Sequence, residues 1–443
     1  MTNAEKIGIQ IPEILLPRRD VDLHKWAVIA CDQFTSEPEY WERVSDTVGD
    51  APSTYHLILP EAWLTRPDKS ERIQFSQAKM CEYLDSGLLE PHKGFVLVER
   101  TVGDAIQTGL IVALDLETYD FNKGSQSLIR ATEGTILDRL PPRMQVRRGA
   151  PLELPHILVL YDDPDFSILK PLLEQKDALP VAYDFDLMEG SGHITGHFII
   201  DPETLSSVID HIAALLDEDK YQARYGKVDQ SHPLLFAVGD GNHSLATAKS
   251  IWEEIKPTAG PNHPARFALV ELVNLHDPSL KFEPIHRVMF DVGDGFGFLV
   301  TKHFEPDYEI QSVPDFFAMK AMVLAAESGK QRFGMITNAG YRVVELTAPK
   351  SNLSVGSLQE FLDGYLKKNP ETEIDYVHGD DVLQKLSQEP GNVGFYLPPI
   401  KKDNFFKSVI LDGSLPRKTF SMGHAKDKRF YLEARRIIND SNS

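Results

Sequence analysis

The sequence predicts a mixed α/β or α+β protein, with mixed sheets flanked by helices in a main domain and a smaller α/β domain after it. Three observations carry the prediction. Short apolar runs alternate along the chain with stretches whose apolar positions recur at helical spacing. Two of these runs are joined by a short polar link containing Gly103-Asp104, a hairpin signal. Beyond Gly293-Asp294-Gly295-Phe296-Gly297 the composition changes and a compact series of short elements follows.

In chain order, Trp26 to Ala30, Tyr55 to Leu59, Phe95 to Glu99 and Gly109 to Asp115 read as strands, the last two forming the hairpin. Ile157 to Tyr161 and Ile194 to Ile200 read as further strands. Leu205 to Leu216 is helical, Leu234 to Val238 a buried strand, and Ser244 to Ile255 a helix stopped by Lys256-Pro257. Phe267 to Leu275 and Pro284 to Phe290 are extended. In the smaller domain Phe316 to Ala326 is a helix, and Arg332 to Thr337 with Tyr341 to Leu346 is a hairpin around Asn338-Ala339-Gly340. A helix at Leu358 to Lys367, a strand at Ile374 to Val377, a helix at Val382 to Leu386 and a strand at Gly394 to Leu397 complete the series. The domain boundary is placed at 295/296, giving domains 1–295 and 296–443, and Asn439 to Ser443 is expected to fray.

The composition, 42% hydrophobic and 25% charged, is that of a globular protein. No apolar run approaches the ~18 residues of a membrane span, no secretory signal opens the chain, and two cysteines, Cys31 and Cys81, give no disulfide framework. A cytoplasmic protein without a membrane partner is expected; the oligomeric state is left open. A net charge of -20 argues against nucleic acid, whose phosphates need clustered Lys and Arg. The charge is uneven, however. Lys401 to Arg436 holds ten Lys or Arg against four Asp or Glu, and Arg130, Arg139, Arg143, Arg147 and Arg148 face only Glu133 and Asp138. Two basic islands in an acidic chain suit a small anion, or else a surface paired with its neighbouring acids.

The sharpest local signal is Gly239-Asp240-Gly241-Asn242-His243-Ser244, where an apolar strand gives way to a helix. A helix start offers free N–H groups and a positive dipole end. Gly239 and Gly241 let backbone approach a phosphate, Asn242 and Ser244 offer polar contacts, and Ser244 is also a candidate cap. Asp240 is the candidate Mg²⁺ ligand, and His243 the candidate donor, acid or base. The alternative is a tight turn closed by an Asp or Ser cap. No P-loop and no G-x-S-x-G elbow occurs, and the dinucleotide fingerprint is met only as far as Gly239-x-Gly241-x-x-Ser244. A second candidate is Arg130 to Thr135, where Glu133 is a general base or metal ligand, Arg130 and Arg139 neutralise phosphate, and Thr135 is a phosphate contact or a helix cap. His286-Arg287 and the turn with Lys418-Thr419 are candidates for the same anion or solvated edges. His193 and His197, four apart, could share zinc but lack a third ligand nearby in sequence.

These residues resemble the bacterial and archaeal family catalogued as domain of unknown function 1015, over nearly the whole chain. Asp240 to Ser244 resembles its D-G-H-H-R junction, with Asn242 and Ser244 departing from it. Thr132 to Thr135 resembles H-E-x-T with Thr132 in the His position, Cys31-Asp32 resembles P-Y-D-V, and Asp138-Arg139 its D-R pair. Pro284 to Arg287 resembles P-x-H-R, Ile374 to His378 resembles I-x-Y-x-H, and Pro416 to Thr419 resembles P-x-K-S-T. The junction is also similar to the phosphate-binding corner of the ParB, sulfiredoxin and free-serine-kinase proteins, implying a ParB-like main domain and nucleotide phosphate binding. The turn lacks the nucleophilic Cys that sulfiredoxin chemistry requires.

The expectation is therefore a nucleotide- and Mg²⁺-dependent phosphotransferase or phosphohydrolase acting on a small molecule, with ATP, ADP or CTP as ligand. Asp240 would hold the metal, Glu133 would activate the hydroxyl or water, and Arg130, Arg139 and Lys418 would neutralise transferred charge. The alternatives are a nucleotide-binding switch without turnover and, against the net charge, a DNA-associated ParB-like protein.

Overall fold

A computed structural model describes residues 2–228, 232–293, 295–327, 329–423 and 425–439. The 440–443 part of the expected frayed tail and Asp294 of the composition break lie outside these. The chain forms two compact units. The first is Met1–Leu280 with Gly423–Ser443; the second is Lys281–Met422. Composition alone set the boundary at 295/296, whereas the contacts divide at 280/281 and return the last segment to the first unit.

The first unit is built on a ten-stranded mixed sheet. Its strands are β1 (Ile9–Gln10), β2 (Phe95–Val102), β3 (Ala105–Asp115), β4 (Tyr119–Asp120), β5 (Ile129–Ala131), β6 (Leu158–Tyr161), β7 (Val181–Asp186), β8 (His193–Ile199), β9 (Phe236–Asp240) and β10 (Phe267–Asn274). The order is β7-β8-β2-β3-β10-β6-β9-β5-β4, with β1 on β3. The Gly103-Asp104 link does join a hairpin, β2 to β3, with Val102 opposite Ala105.

Alternate residues of the central strands feed two separate cores, which explains why they read as unbroken apolar runs. Leu97, Leu110, Val112, Val270 and Leu272 point to one face. There they meet α4 (Pro202–Ala214) through Leu205, Val208 and Ile212, and α5 (Asn242–Ala259) through Leu245, Ala248 and Trp252. Val96, Val98, Ile111 and Leu269 point to the other face. They pack with Trp41 and Val44 of α1 (Pro38–Val48), Tyr83 of α2 (Lys69–Asp85), and Phe430 and Leu432 from the returning segment. Each core is assembled from residues that leave water together, so neither face of the sheet is stable without its helices. Between α2 and α4 the short α3 (Leu140–Arg147) packs against α5.

Two expected elements differ. Tyr55 to Leu59 is a 3₁₀ turn over Thr54–Leu57, because Ser53 Oγ accepts from Tyr55 N (3.1 Å) and Thr54 Oγ1 donates to Trp26 O (2.9 Å), bonds that favour a turn over a ladder. The helix predicted to stop at Pro257 continues to Ala259. Pro257 gives up one backbone donor within the last turn without ending the helix; Gly260, at φ 77°, ends it instead.

The second unit carries a six-stranded sheet of β11 (His286–Phe290), β12 (Tyr308–Val313), β13 (Gln331–Thr337), β14 (Gly340–Leu346), β15 (Glu373–Val377) and β16 (Val393–Tyr396), in the order β12-β14-β13-β16-β11-β15. All its pairings are antiparallel. Helices Phe316–Leu324 and Asp380–Ser387 cover one face through Phe316, Met319, Val323 and Leu383. The expected hairpin of 332–337 and 341–346 is β13–β14.

The returning segment is fixed in the first unit by buried charge. Phe430 and Tyr431 pair with Val28 and Ile29. The Arg429 side chain, 2% exposed, lies between Glu271 (3.1 Å) and Glu433, which also accepts from the Tyr183 hydroxyl. Further on, Arg435 Nε donates to Glu153 (2.7 Å), whose other oxygen meets Arg147 at 2.6 Å. Removing one partner of a buried pair leaves an uncompensated charge. Arg429→Met is therefore expected to cost about 3–5 kcal/mol, read as a fall in the urea midpoint at unchanged m-value. A loss under about 1 kcal/mol would show that the pairs contribute no more than exposed ones.

Candidate functional site

The site forms where two parallel strands end side by side. In β5 and β9, Ile129 lies opposite Phe236, Arg130 opposite Ala237 and Ala131 opposite Val238. The segments that follow therefore leave the sheet together, although about a hundred positions separate them in sequence. Thr132 Oγ1 donates to Val238 O (2.6 Å), and Ile136 N donates to His243 Nε2 (3.3 Å). The Thr-Glu-Gly-Thr and Asp-Gly-Asn-His-Ser motifs thus share one corner. On the other side β6 runs antiparallel to β9 with Leu158 opposite Asp240, which brings His156 to the same corner.

Gly239 ends the apolar part of β9, and Gly241 makes the turn. Gly241 adopts φ 79°, and a Cβ there would lie 3.1 Å from Ile157 Cα, so both backbone conformation and space require glycine. Gly241 occupies the cap position of α5 without a side-chain cap, so the N–H groups of Asn242 and His243 precede the first bonded donor of the helix, Ser244 N. Ser244 is not the expected cap. Its backbone N bonds Gly241 O, while its hydroxyl lies 2.8 Å from His156 Nε2.

Asp240 accepts from Gly241 N through Oδ1 (3.0 Å) and from Lys428 Nζ through Oδ2 (2.9 Å). Burial works against its charge, but the Lys428 ammonium outweighs this and holds the carboxyl below the ordinary aspartate range. His243 is driven the other way. Burial, reinforced by Arg143 and Arg139, lowers it to about 4 against an opposing pull from Asp32. It is neutral near pH 7, and because Nε2 accepts from Ile136, Nδ1 carries the proton and is a donor. Arg143 donates to Arg139 O (2.8 Å) and pairs with Glu61, whose carboxyl burial pushes up against that pairing.

A cavity of about 150 Å³ opens beside the corner. Its polar wall includes Cys31, Glu61, Arg143, His156, Ser244 and Thr247; the rest is mainly apolar, with Leu57, Met80 and Leu154 among its lining. Cys31 accepts from the Tyr431 hydroxyl (3.0 Å), and burial with Asp32 alongside pushes its thiol up to about 12, so it is not a thiolate near pH 7. Three buried polar atoms around the corner lack a hydrogen-bond partner: Thr135 Oγ1, Asn242 Oδ1 and His156 Nδ1. Unpaired buried polar atoms are costly, and a ligand or water that pairs them removes the cost.

The other expected residues are placed as follows. Glu133 is half-buried in the segment after β5, and Arg139 is exposed at the start of α3. Arg130 has its guanidinium committed to Ser127 O (2.8 Å) and His232 O (2.7 Å), which holds loops together. His286, Arg287, Lys418 and Thr419 belong to the second unit. There His286 Nδ1 accepts from Leu397 N (3.1 Å), Arg287 is fully buried and donates to Gln359 (3.1 Å), and Thr419 donates to Pro416 O. On β8, exposed His193 bonds Asp184 and Asp186 at 2.7 Å each, while His197 is buried. Among the described residues no three His, Cys, Asp or Glu side chains are grouped to hold a metal ion. No helix there is long and apolar enough to cross a membrane.

Sequence reasoning missed His156 and Lys428 as partners of the junction. Lys428 lay inside the basic island, but nothing local marked which of its cations reaches Asp240. His156 carried only the weak signal of a Pro-His step at a strand start.

A family model described as "Protein of unknown function (DUF1015)" matches residues 15–365. No curated protein matches the sequence. Among solved structures the chain is similar to a mutant free serine kinase in complex with AMP, at 10% identity over 73% of this chain and 90% of that one, TM-score 0.40. It is similar to a conserved hypothetical protein from Pyrococcus furiosus at 10% identity over 74% and 95%, TM-score 0.36. It is also similar to SbnI with a C-terminal truncation from Staphylococcus aureus at 10% identity over 75% and 83%, TM-score 0.34.

The depressed His243 has a direct readout. Its unfolded value is higher, so the unfolded chain binds more protons between about pH 6.5 and about 4. The stability this group contributes is full above that window and is lost as pH falls through about 4. An NMR titration is expected to place the His243 imidazole near 4; a midpoint near 6.5 would contradict the buried, cation-flanked environment.

Proposed function

The chain belongs to the DUF1015 family of proteins of unknown function, and from the geometry at the head of α5 we propose a nucleotide-dependent enzyme that transfers or hydrolyses phosphate on a small molecule. One observation carries the reading: two distant motifs converge at the ends of parallel strands on a helix start that is rich in donors. Open α/β sheets bind ligands at the carboxyl ends of their strands, and a helix N-terminus favours phosphate.

In this reading the Asn242 and His243 N–H groups that open α5 and the His243 Nδ1–H take phosphate oxygens, with Gly241 allowing close approach. Asn242, Thr135 and Ser244 supply further polar contacts. Arg139 and Arg143 neutralise charge, as their effect on His243 supports. Glu133 takes the proton of the attacking hydroxyl or water. Lys428 holds Asp240 charged and oriented, and its ammonium adds a further cation at the corner.

The donor set fits Mg²⁺ only in a particular way. Asp240 already accepts on both oxygens, so it would reach the ion through remaining lone pairs, with phosphate oxygens and water completing the shell. Bound there, Mg²⁺ would supply charge neutralisation to the transferring group. ATP, ADP and CTP are the ligands to test.

With Mg²⁺, at least one of these nucleotides is expected to raise the melting temperature. Ligand at 100 times Kd adds about 2.7 kcal/mol, a shift of several degrees. Asp240→Asn and Lys428→Ala are each expected to weaken binding about tenfold or more, since hydrogen bonds to charged groups are worth about 1.5–3 kcal/mol. A flat response across the three nucleotides overturns the proposal. A shift with no product by mass spectrometry reassigns the site to a nucleotide-dependent switch.

A further inference from the structure

The hydroxyl of Ser244 is not used where a hydroxyl at a helix start ordinarily goes. It caps no backbone N–H; it points instead to His156 Nε2 at 2.8 Å. His156 is 9% exposed and forms part of the cavity wall with Ser244 and Arg143. The Tyr431 ring meets the imidazole edge-on at 5.2 Å and fixes its plane. Nδ1 is buried without a partner. When Nδ1 carries the proton, Nε2 is left to accept from Ser244, the arrangement of a serine with its general base.

We propose that Ser244 is a phosphoryl acceptor activated by His156, so that the protein passes through, or is regulated by, a phosphoserine at the head of α5. The inference rests on the nucleotide reading above and adds a covalent step to it. Ser244 Oγ forms a bond to the terminal phosphorus of a nucleoside polyphosphate. The bond from that phosphorus to its bridging oxygen breaks, and the electron pair departs with the shortened nucleotide. The Ser244 proton passes to His156 Nε2. A small hydroxyl compound or water can then attack the phosphoserine: its oxygen bonds to phosphorus, its own proton passes to solvent, and His156 returns the stored proton to Oγ as the bond from Oγ to phosphorus breaks.

The setting suits the product as well as the attack. Ser244 is the third residue of α5, where added negative charge meets the positive end of the helix and Arg143 shares the wall. Of the other nucleophiles of the cavity, Cys31 is kept as a thiol by its surroundings, and the Thr247 hydroxyl donates to His243 O (2.7 Å). No carboxylate stands behind Nδ1, so His156 acts as one member of a dyad.

The test incubates full-length protein with Mg²⁺ and ATP, ADP or CTP, followed by intact-mass and fragment mass spectrometry, with the thermal shift read on the same samples. One phosphoryl group on Ser244 is expected. Ser244→Ala is expected to remove it, and His156→Gln to slow its appearance on the order of 100-fold or more, the range of a positioned general base. Thermal unfolding checks that both variants fold. Site localisation in the wild-type protein decides the matter even if Ser244→Ala does not fold. A nucleotide-induced shift without phosphate on Ser244, or phosphate on another residue, overturns this inference and leaves the nucleotide reading standing. Neither shift nor label overturns both.

Discussion

Arg429 is the constraint on which the first unit turns. A guanidinium inside a protein is tolerated only where counter-charges and hydrogen bonds offset its burial; Glu433 supplies a hydrogen bond and a charge, and Glu271 a second counter-charge at 3.1 Å. Glu271 belongs to β10 at the middle of the sheet, while Glu433 belongs to the same returning segment as Arg429. The pairing therefore holds the segment at one register. That register sets Phe430 and Tyr431 against Val28 and Ile29, Lys428 against Asp240, and the Tyr431 ring against His156. A slip of one residue would move each of these side chains to the opposite face.

The corner then combines opposed demands. On the proposed reading the corner needs positive potential for an anion, yet His243 is kept neutral by burial, reinforced by the Arg143 and Arg139 that would serve that anion. Asp240 lowers the net positive charge of the corner, and Lys428 restores it while fixing the carboxylate in place. The result is a group of donors with limited excess charge, aimed from backbone and ring nitrogens whose positions the sheet determines. Such preorganised donors spend little free energy on rearrangement when charge develops on a ligand.

How far the sequence disclosed this follows from what each feature depends on. The Asp240 to Ser244 junction was legible as a candidate because glycines, a carboxylate and a histidine at a strand-to-helix junction have a local physical meaning; its meeting with Thr132 to Thr135 depends on strand pairing and was not. The central strands were legible because burial on both faces leaves an unbroken apolar run, as in Phe95 to Val98. The helices over the second face were harder, since α2 has only Ser76, Met80 and Tyr83 buried along its length. His156 and Lys428 were out of reach for another reason. Their roles arise from strand order and from a segment that returns across the whole second unit, and neither leaves a periodicity or spacing to read. Arg130 misled because a buried arginine serving carbonyl groups has the same letter as one serving a phosphate.

The second unit begins and ends as neighbours. Phe282 to Pro284 pairs antiparallel with Phe420 to Met422, so its entry and exit are joined like the neck of a purse. The first unit is thus discontinuous in time as well as in sequence. On the ribosome the whole of 281–422 emerges before Lys428, Arg429 and Tyr431 do. Until then Asp240 lacks its lysine, Glu271 lacks its arginine, and Val28 and Ile29 lack a strand to pair with. By then the inserted unit has emerged in full, whereas the first unit still lacks its last segment. Its nascent form would expose an unpaired edge and a buried-type glutamate, the kind of intermediate on which chaperones act.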